Sequence, residues 1–126
     1  MTKPRRLPPA VVSAIRDGKI LAIRAGTEHR FIGIWAVVVD GRVFVRSWSL
    51  KPRSWYRTFL DDPAGAIQIG TKTIPIRAVH TRSESLKDRI SDAYLSKYHT
   101  PGSLKYARDL GRKRSRDATV ELTPVR

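Results

Sequence analysis

The sequence predicts a mainly β, α+β domain: an antiparallel β-barrel of six strands with short helices packed outside it. Three observations predict it. Two pairs of apolar runs are joined by tight turns, at Asp40-Gly41 and at Thr71-Lys72. The strand-like runs are short, rich in β-branched residues and spread along the chain without a repeat. The helical signals are short and lie between or after the hairpins.

Pro8 to Arg16 reads as a helix, with proline tolerated in its first turn. Asp17-Gly18 stops it. Lys19 to Ala25 alternates as a strand, and Gly26 to Phe31 is a polar loop. Gly33 to Val39 is the next strand. The Asp-Gly pair then turns the chain, because a type I′ turn needs positive φ at both central residues. On the returning strand, Arg42 to Ser47, residues Arg42, Phe44, Arg46 and Trp48 share one face. Val43, Val45 and Ser47 share the other, and the valine side is expected to meet the core.

Arg53 to Leu60 reads as a short helix with Ser54 as N-cap, ended by Asp61-Asp62-Pro63. Ala66 to Gly70 and Thr73 to Val79 form the second hairpin. Pro75 requires an edge position or a bulge, since it donates nothing to a ladder. Thr81-Arg82-Ser83-Glu84 matches a capping box. The helix after it places Leu86, Ile90, Ala93 and Tyr94 on one stripe, and Pro101 breaks it. Gly102 to Leu110 is a further short helix, and Ala118 to Leu122 the last strand.

The chain has 126 residues, the size of one domain. Residues 1–18 are a basic arm and short helix; residues 19–126 are the barrel. No window approaches the roughly 20 apolar residues of a membrane span. The basic start, MTKPRRLPPAVVSAI, carries too short an apolar run for a signal peptide. A cytoplasmic location is therefore expected. With no cysteine, disulfides and thiolate metal sites are excluded. His29, His80 and His99 are far apart, with no carboxylate at a metal-ligand spacing, so no metal site is expected. There is no Gly-x-Ser-x-Gly elbow. GAIQIGTK lacks the Gly-Lys-Ser/Thr ending of a phosphate loop and lies in a strand turn.

The net charge of +14 implies attraction to anions. Two clusters stand out: Lys3, Arg5 and Arg6, and Lys105, Arg108, Arg112, Lys113, Arg114 and Arg116. Between Gly41 and Leu60 lie five basic residues, Arg42, Arg46, Lys51, Arg53 and Arg57, and no acidic one. Cations where a strand hands over to a helix start make a candidate anion site, because amides and helix dipole act in the same sense. Arg46, Ser47, Lys51, Arg53 and Ser54 form that set, with Trp48, Trp55 and Tyr56 close enough in sequence to shelter a ring.

The succession IWAVVVDGRVFVRSWS, PRSWYRTFLDDP and GAIQIGTKTIPIRA resembles the split-barrel flavin-binding families. It is closest to the deazaflavin-dependent nitroreductase-like branch and its uncharacterised bacterial relatives. The features shared are Asp40-Gly41, the loop Arg46 to Lys51, Trp55-Tyr56, Asp62-Pro63, the hairpin Gly70 to Arg77 and the closing strand Thr119 to Pro124. Gly26 to Arg30 stands where that branch has a Gly-Arg-Lys-Ser-Gly-like segment, and Leu50 where glycine is frequent. The resemblance implies a six-stranded split barrel, a homodimer, and FMN or a deazaflavin coenzyme as phosphate-bearing cofactor. It assigns phosphate contacts to Arg46, Ser47, Lys51, Arg53 and Ser54. Trp35 and Trp48 become ring neighbours, and Tyr56 contacts substrate or cofactor. The expected activity is that of a flavin- or deazaflavin-dependent oxidoreductase. Two alternatives come from other classes: a basic domain binding nucleic acid through its terminal clusters, and a cofactor-free barrel acting as an interaction module.

Overall fold

A computed structural model describes residues 6–27, 30–47 and 55–125. Twelve elements follow in chain order: α1 (Pro9–Asp17), β1 (Leu21–Ala25), β2 (Ile32–Ile34), β3 (Ala36–Val39), β4 (Arg42–Arg46), α2 (Trp55–Asp61), β5 (Ala64–Ile69), β6 (Lys72–His80), α3 (Glu84–Lys97), α4 (Pro101–Asp109), α5 (Lys113–Asp117) and β7 (Thr119–Pro124).

The strands form one antiparallel sheet in the order β2-β1-β5-β6-β7-β4-β3. Its two outer strands are consecutive in the chain, parted only by Trp35, so the sheet curls into a nearly closed barrel. This corrects the expected count of six strands to seven. The run Gly33 to Val39, read as one strand, is two. Its first part pairs with β1, Leu21 opposite Ile34, and its second with β4, Ala36 opposite Val45. The two parts pair with opposite edges of the curled sheet, and the break between them falls at Trp35.

Asp40 and Gly41 both have positive φ, 55° and 74°, with Val39 opposite Arg42, the geometry of a type I′ turn. The second hairpin turns at Gly70-Thr71, one residue earlier than expected, because Gly70 supplies a φ of 60°. Pro75 lies just beyond the end of β7, whose Pro124 faces Ile76, so at Pro75 only β5 flanks β6. The missing donor costs no ladder bond on the open side.

Two apolar clusters hold the fold. The barrel interior contains Leu21, Ile23, Val43, Val45, Ile67, Ile76, Val120 and Leu122, joined by Ile15 of α1 and by Tyr56 and Phe59 of α2. The second lies outside the barrel wall, where Val37, Val39 and Phe44 meet Ile90, Tyr94 and Tyr98 of α3 together with Ala107 and Leu110. The valine side of β4 meets the barrel core as expected, and the burial of Phe44 means that its other face is covered too. Phe44 is wholly buried, a contribution of about 2–3 kcal/mol by transfer. α3 starts from Ser83, whose hydroxyl accepts the Leu86 amide at 3.2 Å. The cap lies two residues after the expected Thr81, which puts Glu84 in the first turn, where it favours the helix dipole. Pro101 does break α3, and it also opens α4 as its first residue.

Candidate functional site at the β4–α2 junction

The expected anion site spans the end of β4, the segment 48–54 and the start of α2. Trp48, Lys51, Arg53 and Ser54 lie outside the described residues. Trp35, Arg46, Ser47 and Tyr56 lie within them.

Arg46 ends β4 and is 2% exposed. Its guanidinium turns inward. Nε donates to Thr119 Oγ1 at 2.8 Å, Nη1 to Ser91 Oγ at 2.8 Å and to the Leu110 carbonyl at 2.9 Å, and Nη2 to the Lys87 carbonyl at 2.7 Å. Its backbone amide donates to the Tyr94 hydroxyl at 3.1 Å, and that hydroxyl donates to the Trp35 carbonyl at 2.8 Å. None of these partners is a carboxylate. Burial accordingly pushes the Arg46 pKa down to about 10. Arg46 thus ties β4 to β7, to α3 and to the end of α4. Its side chain is a staple under the junction rather than a group facing out of it. Ser47 follows it, equally buried.

Trp35 stands one residue beyond the last β3–β4 pair, opposite Arg46. Its ring stacks on Tyr98 at 3.9 Å with the planes 2° apart, and Tyr106 meets it edge-on at 6.4 Å. Tyr94 therefore brings Trp35 and Arg46 together through their backbones. Tyr56, in the first turn of α2, reaches the same end of the sheet from the other side. Its ring lies 6.3 Å from that of His80. His80 is the register partner of Val120 and Arg46 of Thr119, so the two flank the start of β7. Burial chiefly raises the Tyr56 pKa, opposed by Arg57 and aided by Asp117.

Further polar residues border the junction, and of these Lys87 is not singled out by the sequence. His80 Nε2 lies 2.8 Å from the Asp117 carbonyl oxygen. Lys87 is 7% exposed, with Nζ 3.5 Å from Glu84 and 3.6 Å from Asp117. Its sequence signal is a lysine three residues before Ile90 and seven before Tyr94, on a stripe that otherwise calls for apolar side chains. Arg116 pairs with Asp88 at 2.8 Å and with Glu84 at 3.3 Å. Lys113 pairs with Asp117 at 3.0 Å and Arg112 with Asp109 at 3.4 Å. Half of the basic C-terminal cluster is thus engaged with acids of α3, α4 and α5. Among the described residues, no three His, Asp or Glu side chains gather as a metal site, and no helix is long and apolar enough to cross a membrane.

This architecture, a nearly closed antiparallel barrel with helices over one wall, is shared with two solved structures. One is the conserved hypothetical protein Rv2991 from Mycobacterium tuberculosis, at 14% identity and a TM-score of 0.62, covering 98% of this chain and 85% of that one. The other is an F420-H2 dependent reductase, FDR-A, at 18% identity and a TM-score of 0.58, covering 83% of this chain and 93% of that one. Among curated proteins none matches. Residues 10–122 match the family described as an uncharacterized protein conserved in bacteria, DUF2255, and the chain belongs to that family.

Proposed function

We propose that the protein is an oxidoreductase that binds a deazaflavin coenzyme, with FMN as the second candidate, by its phosphate at the segment 48–54. The observation that carries this reading is the placement of charge. Lys51, Arg53 and Arg57 follow one another with no acid between Gly41 and Leu60, on a chain of net charge +14. The flanks of that segment are anchored by burial: Arg46 and Ser47 on one side, and Tyr56 and Phe59 on the other. The fold supports the same reading, since one protein that shares it is an F420-H2 dependent reductase.

The donor set fits a phosphate in a particular way. Lys51 and Arg53, with the Ser54 hydroxyl, are the ligands by charge-assisted hydrogen bonds. Arg46, whose donors serve four internal acceptors, positions the end of β4 and does not touch the phosphate. Trp48 is the ring neighbour inside the segment, and Trp35 borders it with one face already on Tyr98. Tyr56 contacts substrate or cofactor. When bound, the cofactor supplies hydride transfer to an oxidised small molecule. The protein's part is to hold the phosphate, to shelter the ring with aromatic side chains and to exclude water. The resemblance of the sequence to the split-barrel families further supports a homodimer, which analytical ultracentrifugation reads directly.

Nucleic-acid binding through the C-terminal cluster ranks below this reading. Arg112, Lys113 and Arg116 already have carboxylate partners within 3.4 Å. The test is a fluorescence titration of the protein with the deazaflavin coenzyme and with FMN at physiological salt. Saturable micromolar binding of either supports the reading and selects the cofactor. Absence of binding of both sinks it.

A further inference from the structure

A cavity of about 370 Å³ lies where the end of α1, the end of α3 and the start of α4 meet. It shares no residue with the β4–α2 junction. The charges around it are unbalanced: Arg16, Lys19 and Lys97 against Asp17. Asp17 is paired with Arg16 at 3.0 Å, which leaves Lys19 and Lys97 as the net charge.

Lys97 is the centre of the arrangement. Its Nζ donates to the Ile15 carbonyl at 2.9 Å and to the Ala36 carbonyl at 2.7 Å. Those bonds cap the last turn of α1 and a carbonyl of β3, and they leave the third ammonium proton for the cavity. No carboxylate lies in contact with it. Burial lowers its pKa, against a smaller opposing pull from Asp17.

Ser103 faces Lys97 from α4. It is 7% exposed, lines the cavity, and its hydroxyl makes no hydrogen bond. That hydroxyl is open to the cavity and available to a ligand there. The start of α4 points the same way. Pro101 has no N–H, and Thr100 occupies the N-cap position without making a side-chain cap. The amide of Gly102 is the first donor of a nine-residue helix, at the positive end of its dipole.

We propose that this cavity binds the phosphate or carboxylate group of a small molecule, held by Lys97 Nζ and the Ser103 hydroxyl, with the positive end of α4 beside them. The anion engages both donors and adds counter-charge to that of Asp17, which already pairs with Arg16. Lys19 adds long-range attraction. Tyr98, another wall of the cavity, carries the effect of occupancy to Trp35 through their stacked rings. The proposal is independent of the cofactor reading, because neither the site nor its ligands involve segment 48–54.

The experiment is a ¹⁵N NMR titration of the full chain with inorganic phosphate and, separately, with acetate, at ionic strength held constant with sodium chloride. Saturable shifts centred on Gly102 and Ser103 are expected, and the tighter of the two anions identifies the group. Lys97→Gln is expected to weaken binding about tenfold, the size of one charge-assisted hydrogen bond. Because Lys97 also holds α1 and β3, Gly102→Glu serves as a second variant. A Cβ at Gly102 meets nothing within 4 Å, and an acid in the first turn favours the helix. That variant is expected to fold as well as the parent and to lose anion binding. Shifts that are absent from Gly102 and Ser103, that chloride alone reproduces, or that persist undiminished in Gly102→Glu overturn the proposal.

Discussion

Tyr94 holds Arg46 twice: its hydroxyl accepts the Arg46 amide at 3.1 Å, and its ring lies 5.8 Å from the guanidinium carbon. The same hydroxyl donates to the Trp35 carbonyl. A side chain of α3 thus stands in for a ladder bond where β3 and β4 part, and it does so from a fully buried position. The barrel can break its strand at Trp35 without leaving a backbone amide orphaned.

Tyr94→Phe removes that bridge and keeps the ring. It strands the Arg46 amide in a buried site, which costs about 1–3 kcal/mol. Urea unfolding measures the loss. Amide exchange should accelerate at Arg46 more than in the barrel interior, and an unchanged rate there would show that the bridge contributes nothing.

Arg46 itself is a buried cation without a carboxylate. Removing it leaves Thr119, Ser91 and two carbonyls without their donor and opens a void, a loss of about 3–5 kcal/mol for Arg46→Ala. Arg46→Lys should recover less than half of this, because a single ammonium cannot reach four acceptors that a planar fork spans. Thermal or urea unfolding of the two variants decides it; equal stability of both with the parent would refute the staple.

What the sequence shows and hides about this molecule follows from distance along the chain. The Asp40-Gly41 turn was legible because its determinant is two adjacent residues with positive φ. The stripe of α3 was legible because a helix period is local. The fate of Arg46 was not, since its side-chain acceptors lie 41 to 73 residues away. An arginine between Val45 and Ser47, on the face of Phe44, reads as an anion ligand until α3 and β7 are in place. The Trp35 break was hidden for the same reason, because only the closing of the sheet demands it. α5, with the sequence KRSRD, has no apolar period to reveal it. Of the candidate site, the charge of segment 48–54 was legible, whereas the α3 carboxylates of Glu84 and Asp88, which hold Arg116, lie about thirty residues before it.

The phenols predict a particular alkaline behaviour. Burial raises Tyr94 and pushes Tyr98 up to about 12, from an ordinary value near 10. A folded-state pKa above the unfolded one means the native state holds the proton longer. The stability contributed is complete below pH 10 and is lost as pH rises from 10 to about 12. Arg46, lowered to about 10, works in the opposite direction over the same range. Tyr98→Phe isolates the tyrosine part: its stability should fall less steeply between pH 10 and 12 than that of the parent. Parallel curves for the two proteins would remove Tyr98 from the account.

Gly65 marks a close approach in the barrel wall. A Cβ there would stand 2.5 Å from the Arg24 carbonyl oxygen and 2.6 Å from Phe59 Cε1. Phe59 is 4% exposed and cannot swing away. Gly65→Ala gains strand propensity but overpacks, for a net loss of about 1–3 kcal/mol. Phe59→Leu in the same chain should relieve part of it, and a double-mutant cycle in urea reads the coupling.

Charge that binds and charge that supports are separable by substitution. Lys51→Ala and Arg53→Ala each remove a cation from segment 48–54, and each should weaken binding of the deazaflavin coenzyme about tenfold. Cofactor affinity should also become less sensitive to salt, since fewer charges are screened. Arg46→Ala removes a cation only a few residues away, yet its effect on affinity should track its loss of stability and vanish where the variant remains folded. Comparing the three under conditions where all are native, verified by circular dichroism, tests the division of labour. Equal loss of affinity in all three would return Arg46 to the phosphate. Loss in none would show that the basic segment is not the cofactor site, whatever the barrel around it resembles.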